Sequence, residues 1–478
     1  MKRLEIFLLT LLLLAALFVR LYKIVRPIAD WHSWRQADTA AVARNFIKEG
    51  YNPFIPRYDD MSSQTNSMDN PNRYRFVEFP IYNSLIAGVW YFTGIGDIYA
   101  RLTTVIISLL SLILLYLIVK KYSGRRVAFL AAFFFAFIPY NIFYSTVVLP
   151  APFMVFCLLL LYYSFGKWLE NTKKWLWYGL ALIASNLAVL SWPIALIFTL
   201  PAVYLAYKKF GIGMVKKPAL WAFGFITLIP FGLWRLWMSK FPEGIPNWEF
   251  LLNEGNIRFK GAFFRWIFQE RLGQLILTVG GVPLLVLGLV KKPGREGLFY
   301  LSVLTSSLIY LTIFASGNVR HDYYQIPLIP ALSIFMALGT NFLLFPSKDH
   351  FNRFASPIIA IVCIGFLFAF GYYQVRDYYW INKPQIVVAG RAVDRLLPKD
   401  ATVIAPYVGD TAFLYQTNRH GYPVVDRSLE KFVEQGTKYL VSVDVNDAGI
   451  KNLAADCKVI SQTSDYVIIE MQKDCIGK

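Results

Sequence analysis

Six polar or ionisable side chains crowd into fifteen residues near the start of the chain. They are Asp30, His32, Arg35, Gln36, Asp38 and Arg44, within ADWHSWRQADTAAVARNF (29–46). The Ala-rich run from about Ser33 is built of good helix formers and predicts a short helix. On that helix His32, Arg35 and Thr39 share a face, with Asp38 at its edge. A carboxylate, an imidazole and a guanidinium gathered at a helix start can hold an anion and take a proton. The plainer account is an i,i+3 ion pair between Arg35 and Asp38 on a wet helix. Six such groups are more than an ion pair requires, and the flanking Trp31 and Trp34 read as interfacial anchors.

Two further places carry chemistry. Glu78, in RFVEFPIYN (75–83), precedes an apolar segment, where a carboxylate is favoured only near water or a partner. It either caps the following helix or joins the first cluster. In GNVRHDYYQIPLIP (317–330), Arg320 and His321 stand at the end of an apolar run, followed by Tyr323, Tyr324 and Gln325. A snorkelling Arg with an aromatic belt is one reading. The other is a phosphate clamp, because Arg offers a bidentate fork and His a switchable donor. Asn418-Arg419-His420 reads as an anion contact or as a turn with Gly421, and His350 as a solvated loop residue. No His/Cys set has zinc spacing, and neither a Walker motif nor a Gly-x-Ser-x-Gly elbow occurs. Any reaction must therefore use a substrate that arrives activated.

The elements that position these residues are set by the membrane. Of the 478 residues 56% are hydrophobic and only 16% charged, with a mean hydropathy of +0.45. Soluble domains hold about 25% charged residues, so lipid is the solvent for much of this chain. Runs long enough to cross a bilayer as helices lie at 4–25, 99–119, 127–147, 150–168, 174–191, 193–208, 217–237, 272–290, 297–315, 323–345 and 354–373. The net charge of +18 does not point to nucleic acid, because Lys and Arg cluster in short loops between these runs. Basic loops at Lys120–Arg126, Lys167–Lys174, Lys208–Lys217, Lys291–Arg295 and Lys348–Arg353 all fall on the side of Met1-Lys2-Arg3. This holds only if residues 79–95 are an interfacial helix inside a long loop, 27–98, rather than a span. The expectation is a multi-pass protein of the plasma (inner) membrane, N-terminus cytoplasmic, with loop 27–98 and the tail from about 376 on the extracytoplasmic face.

That tail becomes charged and strand-like. Runs at 401–407, 438–445 and 466–471 alternate with helical stretches at 385–397 and 428–436, which predicts a small α/β domain. No Gly-rich phosphate fingerprint opens its helices. Cys457 and Cys475 lie in it and would pair if it faces an oxidising compartment. The domain reading is a membrane domain, 1–375, and an extracytoplasmic α/β domain, 376–478.

Read in order, these motifs resemble the polyprenyl-phosphate-sugar-dependent membrane glycosyltransferases of the GT-C fold. That group includes protein O-mannosyltransferases and the lipid A aminoarabinose transferase, and the match is to glycosyltransferase family 39-like members. The resemblance rests on FVRLYKI, HSWRQADTAAVARNFIKEGYNPFIP, EFPIYNSLIAGVWYFTGIGDIYARL, VVLPAPF and HDYYQIPLIPAL, collinear over residues 1–375. It implies a polytopic α-helical membrane fold of about eleven spans with juxtamembrane helices in the first loop. It also implies a lipid-linked sugar donor, an acceptor that is a lipid, glycan or protein, and a single displacement with inversion.

Within that reading the base is Asp30, Asp38 or Glu78, and the lipid phosphate is held by His32, Arg35, Arg44, Arg320, His321 and Tyr323. The pattern specifies no cofactor and is compatible with a divalent cation. Two departures stand out. The acidic pair that starts the helix in many members falls on Arg35 here, and the acidic residue before Pro-Phe is Ala151. The rival readings are a non-catalytic binder of lipid-linked sugar and a multi-pass transporter. A transporter would place its ionisable residues near the bilayer midplane instead of at one interface.

Overall fold

The computed structural model describes residues 3–63, 68–346 and 352–476; Met1-Lys2, Lys348 and His350 lie outside them. The chain forms two compact units. One comprises residues 1–24, 101–236 and 248–377, and the other residues 25–100, 237–247 and 378–478.

The first is a helical membrane unit. Among the described residues six helices are long and apolar enough to cross a bilayer, or seven if the bent pair Gly261–Ile276 and Thr278–Val290 forms one span. The 41-residue helix Asp97–Phe137 holds the expected span 99–119 and the first half of 127–147, on either side of Gly124, where φ is 81°. Helices Trp175–Ser191 and Phe299–Ile313 are apolar but shorter. The eleven expected spans therefore reduce to six or seven by length and composition alone.

Burial separates core helices from outer ones. Asp322–Leu344 has 89% of its apolar window buried, whereas Pro218–Met238 has 11% and exposes Trp221, Phe225, Ile229 and Leu233 in a stripe. A stripe at that spacing is a face whose partner is lipid. At the core, the backbones of Thr278–Val290 and Ile329–Leu344 touch. A Cβ on Gly339 would sit 1.9 Å from the Leu284 carbonyl, and one on Gly288 would sit 1.9 Å from that of Phe335. Charges inside this unit are paired or capped, as burial demands. Arg20 donates to the Ala16 and Ala136 carbonyls at 3.0 and 2.9 Å, and Glu5 pairs with Lys120 and accepts from Tyr116 Oη at 2.8 Å.

The second unit joins the first long loop to the tail. Its sheet has the order β2-β1-β3-β5-β4, with β1 Thr402–Ile404, β2 His420–Tyr422, β3 Tyr439–Ser442, β4 Lys458–Gln462 and β5 Val467–Glu470. β1 is parallel to β2 and β3, while β3–β5 and β5–β4 are antiparallel. Ile404, Tyr422, Phe432, Leu440, Val467 and Ile469 fill its core, and Cys457–Cys475 close a disulfide beside them. β1, β3 and β5 lie within the runs at 401–407, 438–445 and 466–471. β2 and β4 escape a reading by alternation because they are short or exposed.

The loop is bound to this sheet by backbone. Gly421 N donates to the Asp59 carbonyl at 3.0 Å and Met61 N to that of Gly421 at 2.8 Å, so residues 59–61 run beside β2. The 79–95 segment forms helix Ile81–Thr93, whose 13 residues fall short of the roughly 20 a span needs.

Candidate functional site

Helix Ser33–Lys48 carries the first cluster and is almost wholly buried from Gln36 to Phe46, so it is a core element rather than a wet one. The residue before it, His32, sits at φ 53°, and its ring meets that of Trp31 edge-on at 5.1 Å; Trp31 in turn stacks on Tyr378 at 4.8 Å. Arg26 and Gln36 occupy the two oxygens of Asp30, the Gln36 amide at 2.9 Å. Arg44 pairs with Asp59, donates to the Tyr415 carbonyl at 2.9 Å and lies 4.2 Å from the Tyr415 ring. Asp30 and Arg44 are thus engaged in buried structure.

A small cleft opens elsewhere on the same helix, lined by Arg35, Asp38, Thr39, Arg75, Glu78 and Asn83 among others. Arg35 donates to Glu78 Oε1 at 2.6 Å. Asp38 Oδ2 pairs with Arg75 at 2.7 Å, and its Oδ1 accepts from Thr411 Oγ1 at 2.7 Å. Asn83 donates to the Thr39 carbonyl at 2.8 Å and so ties helix Ile81–Thr93 alongside.

Glu78 differs from its neighbours: it is 91% buried, yet Oε2 has no hydrogen-bond partner among the described residues. A buried carboxylate oxygen left unpaired costs stability. The segment carrying Arg75 and Glu78 is held by residues 237–247. Phe76 N donates to the Gly244 carbonyl at 2.8 Å, and Phe76 stacks on Phe241 at 5.0 Å. A Cβ on Gly244 would come within 2.5 Å of Tyr74 Cβ, so only glycine lets this segment approach.

Two more carboxyls back the cleft. Burial pushes Asp60 and Asp410 each up to about 6, with Asp38 adding to the rise. Asp60 accepts from Ser62 N at 2.7 Å and Asp410 from Ser33 Oγ at 2.8 Å. Among the described residues no group of three or more His, Cys, Asp or Glu converges as a metal set. Both carboxylates of the cleft face a guanidinium, Glu78 that of Arg35 and Asp38 that of Arg75.

Arg320, His321 and Tyr323 belong to the membrane unit. Arg320 is half-exposed and pairs with Glu254; His321 stacks on Tyr323 at 5.5 Å, and Tyr323 on Tyr324 at 4.7 Å. Sequence reasoning passed over Asp322 between them. It is buried and accepts from Tyr144 Oη at 2.6 Å. Ala151 is fully buried in the first turn of helix Pro150–Glu170. Arg75, Asp410 and Thr411 were also missed, since nothing in their local sequence marks them.

Residues 77–237 match the family model described as Dolichyl-phosphate-mannose-protein mannosyltransferase. No curated protein matches the chain. Among solved structures the chain is similar to ArnT from Cupriavidus metallidurans bound to undecaprenyl phosphate, at 13% identity and a TM-score of 0.65, over 98% of this chain and 99% of that one. It is also similar to the apo oligosaccharyltransferase of Archaeoglobus fulgidus, at 13% identity and TM-score 0.58 over 94% and 71%. The archaeal oligosaccharyltransferase AglB from Archaeoglobus fulgidus, in complex with an inhibitory peptide and a dolichol-phosphate, aligns at 12% identity and TM-score 0.57 over 99% and 75%. The motif order, the family model over residues 77–237 and the fold over nearly the whole chain agree: this is a multi-pass membrane protein with the GT-C fold of the membrane glycosyltransferases.

Proposed function

We propose that the chain transfers a sugar from a polyprenyl-phosphate donor to an acceptor hydroxyl on the extracytoplasmic face of the membrane. The observation that carries this reading is the unpartnered, buried Oε2 of Glu78 in a cleft shared with Arg35, Asp38 and Arg75. The ArnT structure to which the chain is similar holds undecaprenyl phosphate, which supports the donor class.

In this reading Glu78 Oε2 accepts the proton of the acceptor hydroxyl as its oxygen attacks the anomeric carbon. The bond from that carbon to the phosphate oxygen breaks, and the lipid phosphate leaves with the electron pair. A single displacement inverts the anomeric centre. Arg35 holds the other Glu78 oxygen and fixes which lone pairs face the cleft. Arg75, anchored by Asp38, is the second guanidinium available to a developing charge. Arg320, His321 and Tyr323 remain proposed donor-phosphate contacts on the strength of their motif, and His32 is held with them.

The Cys457–Cys475 disulfide supports an oxidising compartment for the tail, and the basic loops support a cytoplasmic N-terminus. The test is turnover by the full chain in nanodiscs on a panel of undecaprenyl-phosphate-linked glucose, mannose, galactose and arabinose. Release of undecaprenyl phosphate with formation of the inverted glycoside is expected. Specific donor binding without release would favour the non-catalytic binder.

A further inference from the structure

Strand β1 pairs in parallel with β2 on one side and β3 on the other. The loop at its carboxyl end, residues 405–411, therefore opens where the strand order reverses, the place where open α/β sheets put functional groups. Here the loop grips the first turn of helix Ser33–Lys48. Thr411 Oγ1 donates to Asp38 Oδ1 at 2.7 Å and lies 3.2 Å from the Trp34 carbonyl. Ser33 Oγ donates to Asp410 Oδ2 at 2.8 Å, while Asp410 Oδ1 accepts from Ala412 N at 2.7 Å. The loop backbone is strained: Val408 is β-branched, fully exposed and at φ 52°, followed by Gly409 at φ 77°. Such a conformation persists only where its surroundings over-determine it. An exposed Val408 cannot supply that constraint by packing, whereas the paired grip of Asp410 and Thr411 can.

We infer that Thr411, supported by Asp410, is a positioning residue for the cleft: it holds one oxygen of Asp38 so that the other directs Arg75 beside Glu78. Without the hydroxyl, one oxygen of the Asp38 carboxylate loses its donor and is free to turn, and Arg75 loses the fixed partner that directs it beside Glu78. The tail domain then contributes to the site rather than merely accompanying it. This inference rests on the transferase reading of the cleft for its consequence, but the Thr411–Asp38 link is measurable without turnover.

The test uses the full chain in nanodiscs with two readouts. The first is the rate at which a carbodiimide and an amine label Asp38, read by mass spectrometry on the tryptic peptide 36–44, whose only carboxyl side chain is Asp38. The T411V variant should label several-fold faster than wild type and T411S at the wild-type rate. The second is turnover on the same donor panel. There T411V should lose about tenfold in kcat, in line with one hydrogen bond to a charged group, with KM nearly unchanged and T411S active. Retention of the Cys457–Cys475 disulfide and cooperative unfolding certify the fold, and T411A replaces T411V if the valine fails that check. Equal labelling of folded T411V and wild type overturns the inference. The labelling response in a wild-type protein that turns over no donor overturns the transferase reading and upholds the link.

Discussion

Two arginine–carboxylate pairs, Arg26–Asp30 and Arg35–Glu78, are built from similar parts and differ in the occupancy of one carboxylate oxygen. Asp30 has both oxygens occupied, by Arg26 and Gln36. Glu78 has one occupied, by Arg35, and one buried without a partner. A closed pair must give up an existing hydrogen bond before it can accept a new one. An open pair retains an acceptor, at a cost in stability that the rest of the fold must offset. Asp38 stands with the closed group, because Arg75 and Thr411 take its two oxygens. The difference separates three carboxylates that the sequence presents as equals.

The comparison breaks most visibly in turnover. E78Q should lower kcat by about 10²–10⁴-fold, the usual range for removing a general base, with donor affinity retained. D30N should do the reverse. It neutralises the carboxylate that pairs with the buried Arg26, so stability should fall by about 3–5 kcal/mol while turnover per folded molecule stays near wild type. Thermal unfolding and active-site-normalised rates separate the two outcomes.

A pH-dependent contrast sharpens the picture. Asp60 has its folded-state value raised by burial from 3.8 to about 6. Its stabilising contribution is therefore complete below about pH 4 and lost as the pH rises through 6. D60N removes the buried charge, so its melting temperature relative to wild type should rise between pH 4 and pH 8, by the equivalent of about 2–3 kcal/mol. The smallest effect is expected at Arg320, whose half-exposed pair with Glu254 is worth no more than about 1 kcal/mol. R320A should leave the melting temperature unchanged and weaken undecaprenyl phosphate binding, measured by displacement of a fluorescent analogue.

Much of this organisation was legible before the structure. The apolar runs, the short helix at 79–95, the α/β character of the tail and the concentration of chemistry in loop 27–98 all follow from periodicity and charge. The motifs HSWRQAD and EFPIYN pointed to Arg35, Asp38 and Glu78, which the fold brings around one cleft. Other features were invisible because they depend on contacts between distant residues. Arg75 gains meaning only from Asp38, and Thr411 only because the β1 loop lies 373 positions along the chain from that same carboxylate. Nor does spacing reveal that Asp30 is closed, since Gln36 reaches back to it across the helix start. Gly244 was equally unreadable, because its requirement comes from Tyr74 and Phe76 across the unit.

The central claim is that the free oxygen of Glu78 takes the acceptor's proton, and chemical rescue tests it most directly. Transfer by E78A would be measured with and without added formate, using the best donor of the panel. The account predicts loss of transfer in E78A and its partial return with formate, while D30A shows no such rescue. Wild-type transfer by folded E78A without formate would contradict it.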